Sequence, residues 1–222
     1  MNESKKKPKS QMYIDFLLSA TIWYTYATCI LNWNEKRKYL TEIEDPIFQY
    51  VPRFDASIPV MIMLYISAVL FALNWQVWDT LQTCWTFNIL FCTRSVILYL
   101  HPFKGHKSMI PLRDILLEKI QGTTTPLRND LSFSGHVSTI VTLGLLVPHM
   151  RWFFWICGIL TSICLICSRV HYSADCVIAP FFAFFAYNNS SDMQYLWSTY
   201  VPYWCSIIFI ILVLLYISRN HS

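Results

Sequence analysis

Charge is scarce in this chain: Asp, Glu, Lys and Arg make up 14% of its 222 residues, against 55% hydrophobic and 17% aromatic residues. A soluble domain carries about 25% charge, so this balance excludes water as the main solvent. The formal excess is only +4. Half of it could come from one short tail, which leaves no basic footprint for nucleic acid. Disorder is excluded by the same apolar content. A disulfide framework is also missing, because nearly all of the eight cysteines sit inside apolar runs, where a thiol acts as a small hydrophobe. Cys164 and Cys167 form a CxxC, but neither a second pair nor a histidine cluster at zinc-finger spacing accompanies it, so no metal or redox role is expected.

What the chain has instead is apolar length. A helix needs about 20 apolar residues to cross the hydrocarbon layer, and candidates run over 12–32, 57–75, 82–101, 134–149, 152–170, 172–188 and 197–217. The expected fold is therefore an all-α, polytopic membrane bundle of six or seven spans. The number turns on the short fourth and sixth runs, which Pro148 and Pro180 limit. Trp33, Trp75, Trp78, Trp152, Tyr187 and Trp197 near the run ends suit an interfacial belt. Three regions follow: a basic tail (1–11), a transmembrane bundle (12–188), and a further membrane helix with its tail (189–222). Lys5, Lys6, Lys7 and Lys9 place the N-terminus in the cytosol, so 33–56 and 102–133 face outward.

Ionisable residues beside apolar runs are costly and mark candidate chemistry. The first such place is Asp130 to His136, DLSFSGH, where a histidine opens an apolar run. Its structural reading is a helix start, with Ser134 as the cap, Gly135 permitting a close approach and His136 at the interface. The second is Ser168 to Asp175, SRVHYSAD. On a helix, four residues turn through about 400 degrees, so His171 and Asp175 share a face and can hydrogen-bond. A carboxylate that holds one imidazole nitrogen leaves the other as an oriented, basic lone pair, as a histidine nucleophile requires. Two crossings separate the motifs, so both emerge on one side and His136, His171 and Asp175 can converge. Arg94 is either a snorkelling side chain or a fixed cation that binds phosphate. Arg169, two residues before His171, points away from the imidazole if that stretch is helical.

Such a set suits phosphoryl transfer on a lipid head group better than acyl transfer, since no serine or cysteine nucleophile elbow is visible. His171 would attack phosphorus, and His136 would protonate the departing alkoxide and later take the acceptor's proton. Arginine and backbone amides near Gly135 would offset charge, so no metal or other cofactor is called for.

DLSFSGH followed two runs later by HYSAD and VIAPFF resembles the sphingomyelin synthase branch of the type 2 phosphatidic acid phosphatase superfamily. Asp130, Arg94 with Tyr99 and Pro102, and Asp45 with Pro46 look like further counterparts. The likeness covers roughly residues 40–188 and implies a catalytic triad of His136, His171 and Asp175. With it come phosphate-site roles for Arg94, Ser134, Gly135 and Asp130. It also implies a lumenal or exterior site in an endomembrane (Golgi or ER) or the plasma membrane. The partners are then a phospholipid donor and a lipid-alcohol acceptor, ceramide or diacylglycerol. The alternative is a lipid phosphate phosphatase that uses water. Phe133 stands where hydrolytic members have Pro, and only Val170 separates Arg169 from His171, where those members have five residues. Ser168-Arg169 nevertheless matches their wording.

Overall fold

The computed structural model describes residues 9–38, 40–74, 79–101, 103–114, 118–120, 127–193 and 195. The basic run Lys5 to Lys7, Trp75, Trp78, Pro102, Trp197 and the seventh apolar run, 197–217, lie outside the described residues. Within them the chain is all-helical, with one isolated bridge, Thr41 to Phe103, and no strand.

The first apolar run folds as α1 (Lys9–Thr25), one π-helical turn (Tyr26–Ile30) and α2 (Leu31–Glu35) in direct continuation. After a loop with a 3-10 turn at Pro46–Gln49 come α3 (Ser57–Leu73) and α4 (Thr80–Leu100). The Asp79 carboxylate accepts the Gln82 amide hydrogen at 2.8 Å, and this sets where α4 begins. A long connection then leads to α5 (Gly135–Leu146) and α6 (Arg151–Cys167), joined by a 3-10 turn that Pro148 opens. The last described helix, α7, covers 173–193.

The helices α4, Thr80–Leu100, and α6 with its preceding turn, Pro148–Cys167, are long and apolar enough to cross a membrane. The other two apolar helices are shorter, Ser57–Leu73 and Gly135–Leu146. At about 1.5 Å per residue, the 12 residues of α5 cover about 18 Å, less than a hydrocarbon layer of about 30 Å.

α5 is the central helix. Val137, Ile140, Val141, Leu143, Leu145 and Leu146 are all buried, which covers every side of it. α6 and α3 pack on it, while α1 packs on α4. Gly144 permits the α5–α6 approach: a Cβ there would stand 2.7 Å from the Phe154 Cβ. α7 joins this core through a face of small residues, Cys176, Ala179, Ala183 and Ala186, which belong to the same buried cluster as Val137, Val141 and Leu145.

Candidate active site

The two histidine motifs meet at one end of the bundle. α5 starts there and the chain returns there after α6, so one backbone hydrogen bond can join them: the Ser134 amide donates to the Asp175 carbonyl at 3.0 Å. His171 and Asp175 do pair, with Nδ1 and Oδ2 3.3 Å apart, but not along one helix face: His171 lies in the bend that precedes α7 and only Asp175 is on the helix. A carboxylate can only accept, so Nδ1 carries the hydrogen and Nε2 keeps the lone pair. His171 is 2% exposed and Asp175 6%. The same Asp175 oxygen accepts the Tyr172 amide hydrogen at 3.3 Å, which fixes the carboxylate against the ring.

The helix-start reading of the first motif holds. The Ser134 hydroxyl accepts the Val137 amide at 3.4 Å as the α5 cap. Gly135 gives the close approach, since a Cβ would stand 3.1 Å from the Arg94 Cζ. His136 is the second residue of α5. Its Nε2 lies 3.7 Å from the Asp114 Oδ2, an ion-pair distance rather than a hydrogen bond, and its side chain is 18% exposed. His136 is thus the more accessible imidazole.

Arg94 does not snorkel. It is 1% exposed and points into the bundle, where Nε donates to the Tyr26 hydroxyl at 2.6 Å and Nη1 to the Phe133 carbonyl. Its Nη2 meets the Asp130 carboxylate at 2.5 Å. The geometry therefore ties Arg94 and Asp130 to each other and to the backbone just before Ser134. A buried guanidinium so occupied holds the DLSFSGH loop in place. The Tyr26 partner sits at the first residue of the π turn in the first helix.

Arg169 differs from the helical expectation. Its φ of 58° lies in the left-handed region, so the chain turns sharply after α6 instead of continuing as a helix. The side chain reaches two connecting loops: Nη1 donates to the Ser108 hydroxyl and Nη2 to the Phe48 carbonyl at 3.0 Å. Its guanidinium stands 5.5 Å from the centre of the Phe48 ring. The other partners of that ring are Tyr172, stacked at 5.9 Å, and His106, edge-on at 5.1 Å. The Tyr172 hydroxyl donates to the Lys104 carbonyl at 2.8 Å.

Two more acids brace the site. Asp45 accepts the Ile47 amide at 3.0 Å with one oxygen and the Ser173 amide at 2.6 Å with the other, pinning the loop before α3 to the start of α7. Glu35 accepts the amides of Arg128 and Asn129 at 2.6 and 2.5 Å. Sequence reasoning missed Asp114, Tyr26 and Glu35. Each acts across a distance that no periodic pattern encodes. Among the described residues no cluster of three or more His, Cys, Asp or Glu could hold a metal ion.

Compared with protein-family models and with curated proteins, the chain matches none.

Proposed function

We propose that this protein is a multi-pass membrane enzyme that moves a phospho-alcohol head group, phosphocholine or a relative. The donor is a glycerophospholipid and the acceptor is the hydroxyl of ceramide or diacylglycerol. The observation that carries the reading is the buried His171–Asp175 pair, bonded through the Asp175 carbonyl to the loop that presents His136. In the first half-reaction the His171 Nε2 lone pair attacks phosphorus in line with the departing oxygen. The phosphorus–oxygen bond to the diradylglycerol breaks, and His136 gives its proton to that oxygen. In the second half His136 takes the proton of the acceptor hydroxyl, whose oxygen attacks phosphorus and frees His171. Asp175 orients the nucleophile and meets the charge it gains. Asp114 faces the His136 imidazole at 3.7 Å and orients it. Arg94 and Asp130 are positioning residues for the loop, and Ser134 with Gly135 forms the helix start beside the phosphoryl group.

The surface supports a membrane as the solvent. Ile58, Ile62, Ile66, Val69 and Leu73 on α3 are exposed, as are Ile156, Ile159 and Ile163 on α6 and Val177, Phe181 and Phe185 on α7. A water-soluble bundle turns such faces inward. The reading takes α1 with α2, α3, α4, α6 and α7 as crossings, with the shorter α5 enclosed among them and carrying the chain between the two faces, and adds the apolar run 197–217 as a further crossing on its sequence alone. It sets the histidines at the lumenal or outer face of an endomembrane or the plasma membrane. The depth of His171, 2% exposed, favours a lipid hydroxyl over bulk water as acceptor.

The test is reconstitution. Purified protein in liposomes receives head-group-labelled phosphatidylcholine with ceramide or diacylglycerol. Label that moves to the acceptor lipid supports transfer, and release of soluble phosphate or phosphocholine supports a phosphatase instead.

A further inference from the structure

We infer that the cleft between α4 and α7 seats one hydrocarbon chain of the substrate lipid, an inference that rests on the transferase reading and adds a binding site to it. The cleft holds ≈ 520 Å³ and is walled by Cys92, Thr93 and Val96 of α4 and by Phe181, Phe182 and Phe185 of α7. Its walls are almost wholly apolar. Arg94 belongs to the same helix but turns inward, with its charge met by Asp130, so no cation opens into the cleft.

Position decides the occupant. α7 begins at the site, and Phe182 follows Asp175 by seven residues, nearly two full turns. It therefore lies on the same face, about 10 Å further along. The Phe182 ring stacks on Phe133 at 4.2 Å. Phe133 directly precedes the Ser134 cap, and its carbonyl accepts from Arg94. The near end of the cleft thus abuts the loop that carries His136, and the cleft runs from there toward Phe185. Its lateral side is open: Phe181 and Phe185 are 70% and 52% exposed. A lipid with its phosphate at the histidines has its chains starting where the cleft starts. In a bilayer such a chain gains by fit rather than by leaving water, so the cleft's effect is to fix how the head group is presented.

The full-length protein tests this with benzoylphenylalanine placed at Val96, and at Ile62 of α3 as a control. Liposomes are mainly phosphatidylglycerol with minor phosphatidylcholine and ceramide. After irradiation, adducts at position 96 are expected to be enriched severalfold in the two minor lipids over their share of the bilayer, while those at position 62 follow bulk composition. Adducts at position 96 that follow bulk composition, or that join it only to 197–217 or to a second copy of the chain, overturn the inference. The Val96→Trp substitution gives a second measurement: the ratio of long-chain to short-chain acceptor turnover should fall by about tenfold or more, and an unchanged ratio counts against the cleft. The two proposals fail separately. Enriched adducts without any head-group transfer sink the transferase and keep the cleft, whereas transfer without enrichment does the reverse.

Discussion

At the scale of the residue, the two histidines, alike in sequence, stand in different surroundings. His171 is held by a carboxylate 3.3 Å away, whereas His136 stands at 3.7 Å from Asp114 and is more exposed. The first is suited to nucleophilic attack and the second to proton transfer. His171→Ala is expected to abolish turnover, and His136→Ala to lower it by about 10²–10⁴-fold. Membrane insertion should be normal in both, checked by sedimentation with membranes after carbonate extraction; full activity in either variant contradicts the assignment. Arg94 makes a different prediction. Asp130→Ala leaves a buried guanidinium without its counter-charge and is expected to cost about 3–5 kcal/mol of stability. The double variant Arg94→Met with Asp130→Ala should be milder than Asp130→Ala alone, as read by thermal unfolding in micelles. Additive losses would show that the two residues do not act as a pair.

At the scale of the element, the apolar runs were legible, because burial is a local property of sequence; the His171–Asp175 pair was reached from helical spacing, yet His171 lies in the bend before α7 and meets Asp175 at the entry to that helix. The breaks were less legible. The run 152–170 ends as a helix at Cys167, because Arg169 takes a left-handed conformation that only tertiary contacts with Ser108 and Phe48 make worthwhile. The partners of Arg94 were hidden for the same reason: Tyr26 is 68 residues away and its hydroxyl is presented at a π turn. Asp114 sits in a connection with no repeating pattern to read. Close packing gives this scale its own test. Gly144→Ala would put a methyl 2.7 Å from the Phe154 Cβ, and is expected to cost about 1–3 kcal/mol. Gly158→Ala meets Val141 at an ordinary 3.4 Å and should be tolerated. Equal melting shifts for the two variants would contradict the packing of α5 on α6.

At the scale of the whole molecule, the fold brings distant segments to one end. Asp45 reaches the start of α7, Glu35 holds 128–129, the Ile110 amide donates to the Ser168 carbonyl at 2.8 Å, and Ser134 donates to Asp175. If this end is lumenal or exterior, Ser108→Cys and Glu44→Cys should react with an impermeant maleimide added from outside in right-side-out vesicles. Asn188 and Asn189, near the far end of α7, should then remain without glycan. A glycan on either asparagine, or labelling of both cysteines only after permeabilisation, reverses the orientation.

The most direct measurement is to trap the intermediate. The protein, mixed briefly in liposomes with head-group-labelled phosphatidylcholine and no acceptor, is quenched in alkali and mapped by mass spectrometry. The account predicts label on Nε2 of His171, absent in His171→Ala and discharged when ceramide or diacylglycerol is supplied. Turnover without label on any histidine, or label on a residue other than His171, contradicts it.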